Sequence, residues 1–185
     1  TYLPWLGLFH KMSQADAFVL LDDVSSSHNS FENRVMIRGA NGPQWLTVPV
    51  RRGMETAIKD VALCEDQPWR RKHYRSLEMF YHRAPFWSEY QPWLEAYFRG
   101  PQASLANLDV AAMAMLATNL GCPRDMPSLS TLGVTGGKKS DLLIPICRHL
   151  GASAFIFGAS GKDYADVAAF KAAGVTPLIQ EFHAP

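Results

Sequence analysis

The segment from Ala154 to Phe182 constrains the fold more than any other. Ala154-Phe155-Ile156-Phe157 is an apolar run of strand length, and Gly158 to Asp163 reads as a glycine-containing loop. Tyr164 to Ala173 reads as a helix closed by Gly174, and Val175 to Phe182 as a second strand. A strand, a helix and a strand in that order make an α/β unit, whose strands run parallel because the helix carries the chain back. The front of the chain has a related pattern. Thr1-Tyr2-Leu3-Pro4-Trp5-Leu6-Gly7-Leu8-Phe9-His10-Lys11-Met12 is a turn carrying Pro4 and Gly7 that runs into a short amphipathic helix. The apolar run Ala17 to Val24 then reads as a strand closing on Asp22 and Asp23.

Between the two ends, Arg34 to Arg38 alternates polar and apolar residues, and Trp45 to Val50 is a second strand-like run. The Asn41-Gly42 turn between them predicts a β-hairpin or a slightly longer-looped equivalent. Trp69 to Leu120 reads as helical with breaks at Ala84-Pro85 and Gly100-Pro101, and Leu142 to Leu150 as a further helix ending at Gly151. The expected fold is α/β: a mainly parallel sheet with flanking helices, an inserted β-hairpin and a helical insertion. No linker divides the pattern, so residues 1–185 are expected to form a single α/β domain. The chain reads as trimmed at both ends, because Tyr2-Leu3-Pro4 resembles the end of a turn without its strand and the chain stops just beyond Phe182.

Composition works by exclusion. Hydrophobic residues make up 48% of the chain, enough for a sizeable core. With 18 basic and 17 acidic residues the net charge is +1, so no global field attracts nucleic acid or an acidic membrane surface. Cys64, Cys122 and Cys147 are far apart and show no metal-ligand spacing, which points to reduced thiols in a cytoplasmic protein and no metal site. No apolar run approaches the ~18–20 residues that span a bilayer.

Four groups of residues carry potential chemistry. The first is His10 with Asp22, Asp23, Asn33 and Arg34. Polar groups at the C-terminal ends of strands face the crevice where α/β sheets bind ligands, and a His near a carboxylate serves as general acid or base. The bland alternative is that His10 packs on the first helix or faces water. The second is Gly136-Gly137-Lys138-Lys139-Ser140-Asp141 before a helix, where close backbone approach, free amides and two lysines favour an anion. It lacks the Walker spacing, and Ser140 or Asp141 can equally be an N-cap. The third is the strand-to-helix loop Gly158 to Tyr164, with Ser160, Gly161, Asp163 and Tyr164 as candidate ligand contacts. Its Ser160 lacks the GxSxG elbow of a hydrolase. The fourth is the basic stretch Trp69 to Arg75, from which His73 is the candidate substrate contact; a solvated helix face is the alternative.

Several of these segments, in the same order, resemble the WbqC-like protein family. They are Pro4 to Met12, Leu21-Asp22-Asp23-Val24, Asn33-Arg34, Leu46 to Val50, the Trp-Arg-Arg-Lys-His helix, Lys138 to Asp141, and the Gly-x-Ser-Gly-x-Asp-Tyr run ending at Tyr164. The resemblance covers nearly the whole chain. The chain departs from the family pattern in lacking an N-terminal strand, in ending at His183-Ala184-Pro185 where a His-Pro-x-Tyr-type tail is expected, and in carrying Ser25-Ser26-Ser27 in place of a Gln-Phe-type continuation. Members of that family resemble proteins encoded beside O-antigen and other surface-polysaccharide genes, with a suggested role in transferring glycine to an amino sugar, so the resemblance implies an acyl or aminoacyl transferase. A fainter similarity links Gly7-Leu8-Phe9-His10 and Lys138-Lys139-Ser140 to the HxGH and KMSKS elements of adenylyl-transferring enzymes. Ser13 stands where the second His of HxGH would fall.

The resulting expectation is a transferase whose partner is a small phosphorylated or nucleotide-linked sugar, with no cofactor indicated. His10 is the base or a phosphate contact, and Asp22 or Asp23 holds an acceptor amine or orients His10. Asn33 and Arg34 bind substrate oxygens, and Lys138 and Lys139 a phosphate. The competing expectations are a non-catalytic nucleotide-sugar-binding or assembly module and a carboxylate-activating enzyme of the adenylyl-transferase type. The oligomeric state is not legible from the sequence.

Overall fold

The computed structural model describes residues 1–122, 125–159, 161 and 165–184. In chain order the elements are α1 (Leu6–Ser13), β1 (Arg34–Gly39), β2 (Gly42–Thr47), β3 (Val50–Arg51), β4 (Ala62–Leu63), α2 (Trp69–Tyr81) and α3 (Trp87–Arg99). There follow α4 (Leu105–Asn119), α5 (Leu129–Leu132), α6 (Ser140–His149), β5 (Ala154–Phe157), α7 (Val167–Ala172) and β6 (Thr176–Ile179). They fall into two compact units, one of Thr1–Pro4 and Asp22–Leu116, the other of Trp5–Leu21 and Ala117–Pro185.

In the first unit β1 and β2 pair antiparallel from Arg34↔Thr47 to Gly39↔Gly42. Alternation puts Ile37 and Leu46 on the buried side and Met36 and Trp45 on the exposed side. Asn33 lengthens the ladder, accepting at its carbonyl from the Val48 amide at 2.7 Å. β3 and β4 make a second antiparallel pair. Prolines 85 and 101 fall between helices, where the chain must break. Trp69, His73 and Leu77 recur every four residues on α2 and are all buried. They join Tyr2, Val48, Val61, Tyr97, Phe98, Leu105 and Leu108 in the core of this unit.

In the second unit β5 and β6 pair parallel, from Ala154↔Thr176 to Phe157↔Ile179. Cys147 of α6, Phe157 of β5, Phe170 of α7 and Val175 form its core. The three phenylalanine rings at 155, 157 and 170 meet at centroid distances of 4.7 to 5.6 Å.

The mainly parallel sheet expected from the sequence is therefore corrected. Among the described residues there are three two-stranded sheets, and β5–β6 is the one parallel pair. The run Ala17 to Val24 is not a strand: its part in β-structure is an isolated parallel bridge between Leu20 and Ser128. No residue of this run is buried, whereas a strand of a parallel sheet must be covered on both faces. His10 lies in the last turn of α1.

Candidate functional site

The second unit assembles a site around His10 from two segments far apart in sequence. Trp5 enters α1 in extended conformation, and its carbonyl accepts from the Leu8 amide to start the helix. The Trp5 indole folds back over Gly7, where a Cβ would lie 2.1 Å from the ring. The same indole meets Phe182 edge-on at 5.4 Å, and the His10 imidazole lies 5.2 Å from Phe182. Gln180, buried at 7% exposure, donates its side-chain amide to the Gly7 carbonyl at 2.6 Å and places the same nitrogen 3.0 Å from His10 Nδ1. His10 Nε2 is 3.4 Å from the exposed amide of Gln14.

Gln180 directly follows β6, and its main-chain amide donates to Phe157, the last residue of β5, at 2.9 Å. His10 is thus tied to the edge at which both parallel strands end, where α/β pairs present ligand-binding loops. The loop after β5 starts on the same edge. Gly161 donates to the Gly158 carbonyl at 2.7 Å, and a Cβ on Gly161 would meet Phe157 Cβ at 2.3 Å. Ser160, Asp163 and Tyr164 lie outside the described residues. Lys11, next to His10, is half-buried with its ammonium 5.9 Å from the Phe18 ring, and burial holds its pKa below the ordinary lysine value.

The glycine-lysine segment also belongs to this unit. Gly136 and Gly137 have φ of 82° and 79°, and Lys139 has φ 53°. Lys139 occupies the N-cap position of α6 and makes no side-chain cap, while Ser140 is the first helical residue. The N-cap role considered for Ser140 or Asp141 is thereby corrected. Lys138 and Lys139 are exposed at a helix start whose dipole favours anions. Residues 150–153 join α6 to β5.

The other sequence-derived candidates belong to the first unit. Asp23 pairs with Lys59 at 2.7 Å, and the Asp22 carbonyl accepts from the Lys59 amide at 2.9 Å. Asn33 is buried, and its side-chain amide donates to the Val48 carbonyl at 2.9 Å, leaving Oδ1 without a partner among the described residues. Arg34 lies 4.3 Å over the Trp45 ring and donates to the Asn29 carbonyl. His73, the candidate substrate contact, is a core residue. Its Nδ1 meets the Tyr2 hydroxyl at 2.8 Å, its ring bonds the Thr47 main chain, and Trp69 and Phe98 pack on it. Burial lowers its pKa to about 4, so it is neutral near neutral pH.

Sequence reasoning missed Gln180, Trp5 and Phe182 as parts of the His10 site. Gln180 is a polar residue at the end of an apolar strand run, a position that faces ligands in α/β units, and that signal was available. Among the described residues no cluster of three His, Cys, Asp or Glu side chains is disposed to hold a metal ion. Among them, too, no helix is long and apolar enough to cross a membrane.

Comparison with known proteins adds the lineage. The chain is 27% identical over 171 residues to a protein of Mycobacterium tuberculosis (strain ATCC 25618 / H37Rv) described as "Uncharacterized protein Rv1507c". That match covers 91% of this chain and 74% of the relative. No solved structure matches. The model of the WbqC-like protein family matches residues 1–185, from the Trp5–His10 helix start to the Gln180–Phe182 segment that holds it, and the chain belongs to that family.

Proposed function

We propose that this chain is a transferase that binds a phosphorylated or nucleotide-linked amino sugar at the His10 edge and attaches an acyl or aminoacyl group, glycine being the suggested one, in surface-polysaccharide synthesis. One observation carries the reading: His10 is held by Gln180 and Phe182 at the edge where β5 and β6 end, with its Nε2 directed toward the exposed Gln14. The Lys138–Lys139 helix start supplies cationic charge for a phosphate, and Trp5, 57% exposed beside Phe182, offers a flat apolar face to a sugar or base. In the transfer the acceptor amine attacks the activated carbonyl; the N–C bond forms as the bond to the activating group breaks, the activating group leaves with that electron pair, and the amine's proton passes to solvent water.

A thermal-shift panel of nucleotides, nucleotide sugars and amino acids identifies the ligand class. Incubation with an activated glycine and a nucleotide-linked amino sugar then yields a product of increased mass. His10→Ala abolishes that product at unchanged melting temperature; full turnover by this variant sinks the assignment. Ligand binding without turnover in the wild type favours the binding module instead.

A further inference from the structure

We propose that Gln180 is a positioning residue that fixes His10 in the Nε2–H tautomer, so that the imidazole meets a phosphoryl oxygen as a neutral hydrogen-bond donor and not as a proton acceptor. The donor role rests on the reading of His10 as a ligand contact; the tautomer does not. A carbonyl oxygen can only accept, so the Gln180 atom 2.6 Å from the Gly7 carbonyl is its NH2 group. Turning the amide over would set two oxygens against each other in a buried place. The same nitrogen lies 3.0 Å from His10 Nδ1, so its second N–H points to that ring atom. An N–H directed at Nδ1 requires a lone pair there, and the single proton of the neutral ring must sit on Nε2.

The orienting group is itself fixed. Gln180 is 7% exposed, and its main chain is hydrogen-bonded to Phe157 one residue past the β6 ladder. On the other side of the ring, among the described residues, Nε2 meets the exposed Gln14 amide at 3.4 Å, which can rotate to present its oxygen or yield to a ligand. One ring nitrogen is locked by the fold and the other is a donor facing outward. A ring held in this way suits an oxygen bearing negative charge.

Two arms test this. Long-range proton–nitrogen NMR of the imidazole in the wild type reads the tautomer directly; Nδ1 without a proton and Nε2 with one is the expected result, and a proton on Nδ1 overturns the proposal. Gln180→Glu, which can accept but not donate, moves the proton to Nδ1. Should that variant fail to fold, Gln180→Met removes the donor at similar volume, and the ring then shows mixed tautomers. A tautomer unchanged in every folded Gln180 variant overturns the positioning role. The second arm is UDP affinity. His10→Gln can keep an N–H near the Nε2 position but cannot take up a proton there, so it holds UDP within about threefold of wild type while His10→Ala loses about tenfold. Equal loss in both variants overturns the donor role. Unchanged UDP affinity in His10→Ala removes His10 from the phosphoryl contact and with it the proposed site, whereas the tautomer is judged by the spectrum alone.

Discussion

At the scale of single residues, Gly7 and His73 show how position decides what a side chain does. Gly7 has no room for a Cβ because the Trp5 indole lies over it, yet that indole is 57% exposed and free to swing away. Gly7→Ala is therefore expected to cost less than about 1 kcal/mol of stability while displacing Trp5 from Phe182. Unfolding midpoints and nucleotide affinity measured together check this: affinity should fall with little change in midpoint. His73 reads in the sequence like a member of a basic clamp, and the structure buries it against Tyr2, Trp69 and Phe98. Its pKa of about 4 lies below the unfolded value of about 6.5, so between these limits the unfolded chain binds a proton that the native state refuses. The contribution of His73 to stability is thus intact above pH ~6.5 and declines as pH falls toward 4, by up to about 3 kcal/mol. Denaturant titrations from pH 7 to 4 should show this loss, and a His73→Gln variant should show a shallower one. Parallel slopes would contradict the burial argument.

At the scale of elements, the helices were legible and the arrangement of the sheets was not: a mainly parallel sheet was expected and three two-stranded sheets are found among the described residues. Pro85 and Pro101 mark the breaks between α2, α3 and α4, and Gly151 and Gly174 follow α6 and α7, so local chemistry alone locates these helices. The parallel pair β5–β6 was legible too, because an apolar run, a helix and a second apolar run leave one simple pairing. The run Ala17 to Val24 misled because apolar character marks a strand only where something covers it, and the cover is set by distant chain. At the start of α6, Lys139 adopts φ 53° and ψ −126°, a conformation that glycine takes far more easily. Lys139→Gly is expected to raise stability by about 1 kcal/mol. Replacing Lys138 and Lys139 together with Ala should weaken phosphorylated ligands several-fold and leave the unfolding midpoint nearly unchanged. Unaltered affinity in the double variant would return the segment to an ordinary helix start.

At the scale of the whole molecule, the chain crosses between its two units three times, at Pro4/Trp5, Leu21/Asp22 and Leu116/Ala117. Sequence patterns report neighbours along the chain, and each crossing hides which distant residues will meet. His10 was legible as a candidate from its turn-and-helix setting, while the residue that orients it stands 170 positions later. Asn33 and His73 were singled out by residue type, and both serve the core of their own unit. The His10 edge of the parallel pair is the proposed ligand site. Its most direct measurement is calorimetric titration of a nucleotide-linked amino sugar into wild type and His10→Ala, with His73→Gln as a folded-core control. His10→Ala is expected to lose about tenfold or more in affinity, about 1.4 kcal/mol, at an unchanged melting temperature, while folded His73→Gln binds like the wild type. Equal affinity of wild type and His10→Ala, or a loss confined to His73→Gln, would contradict it.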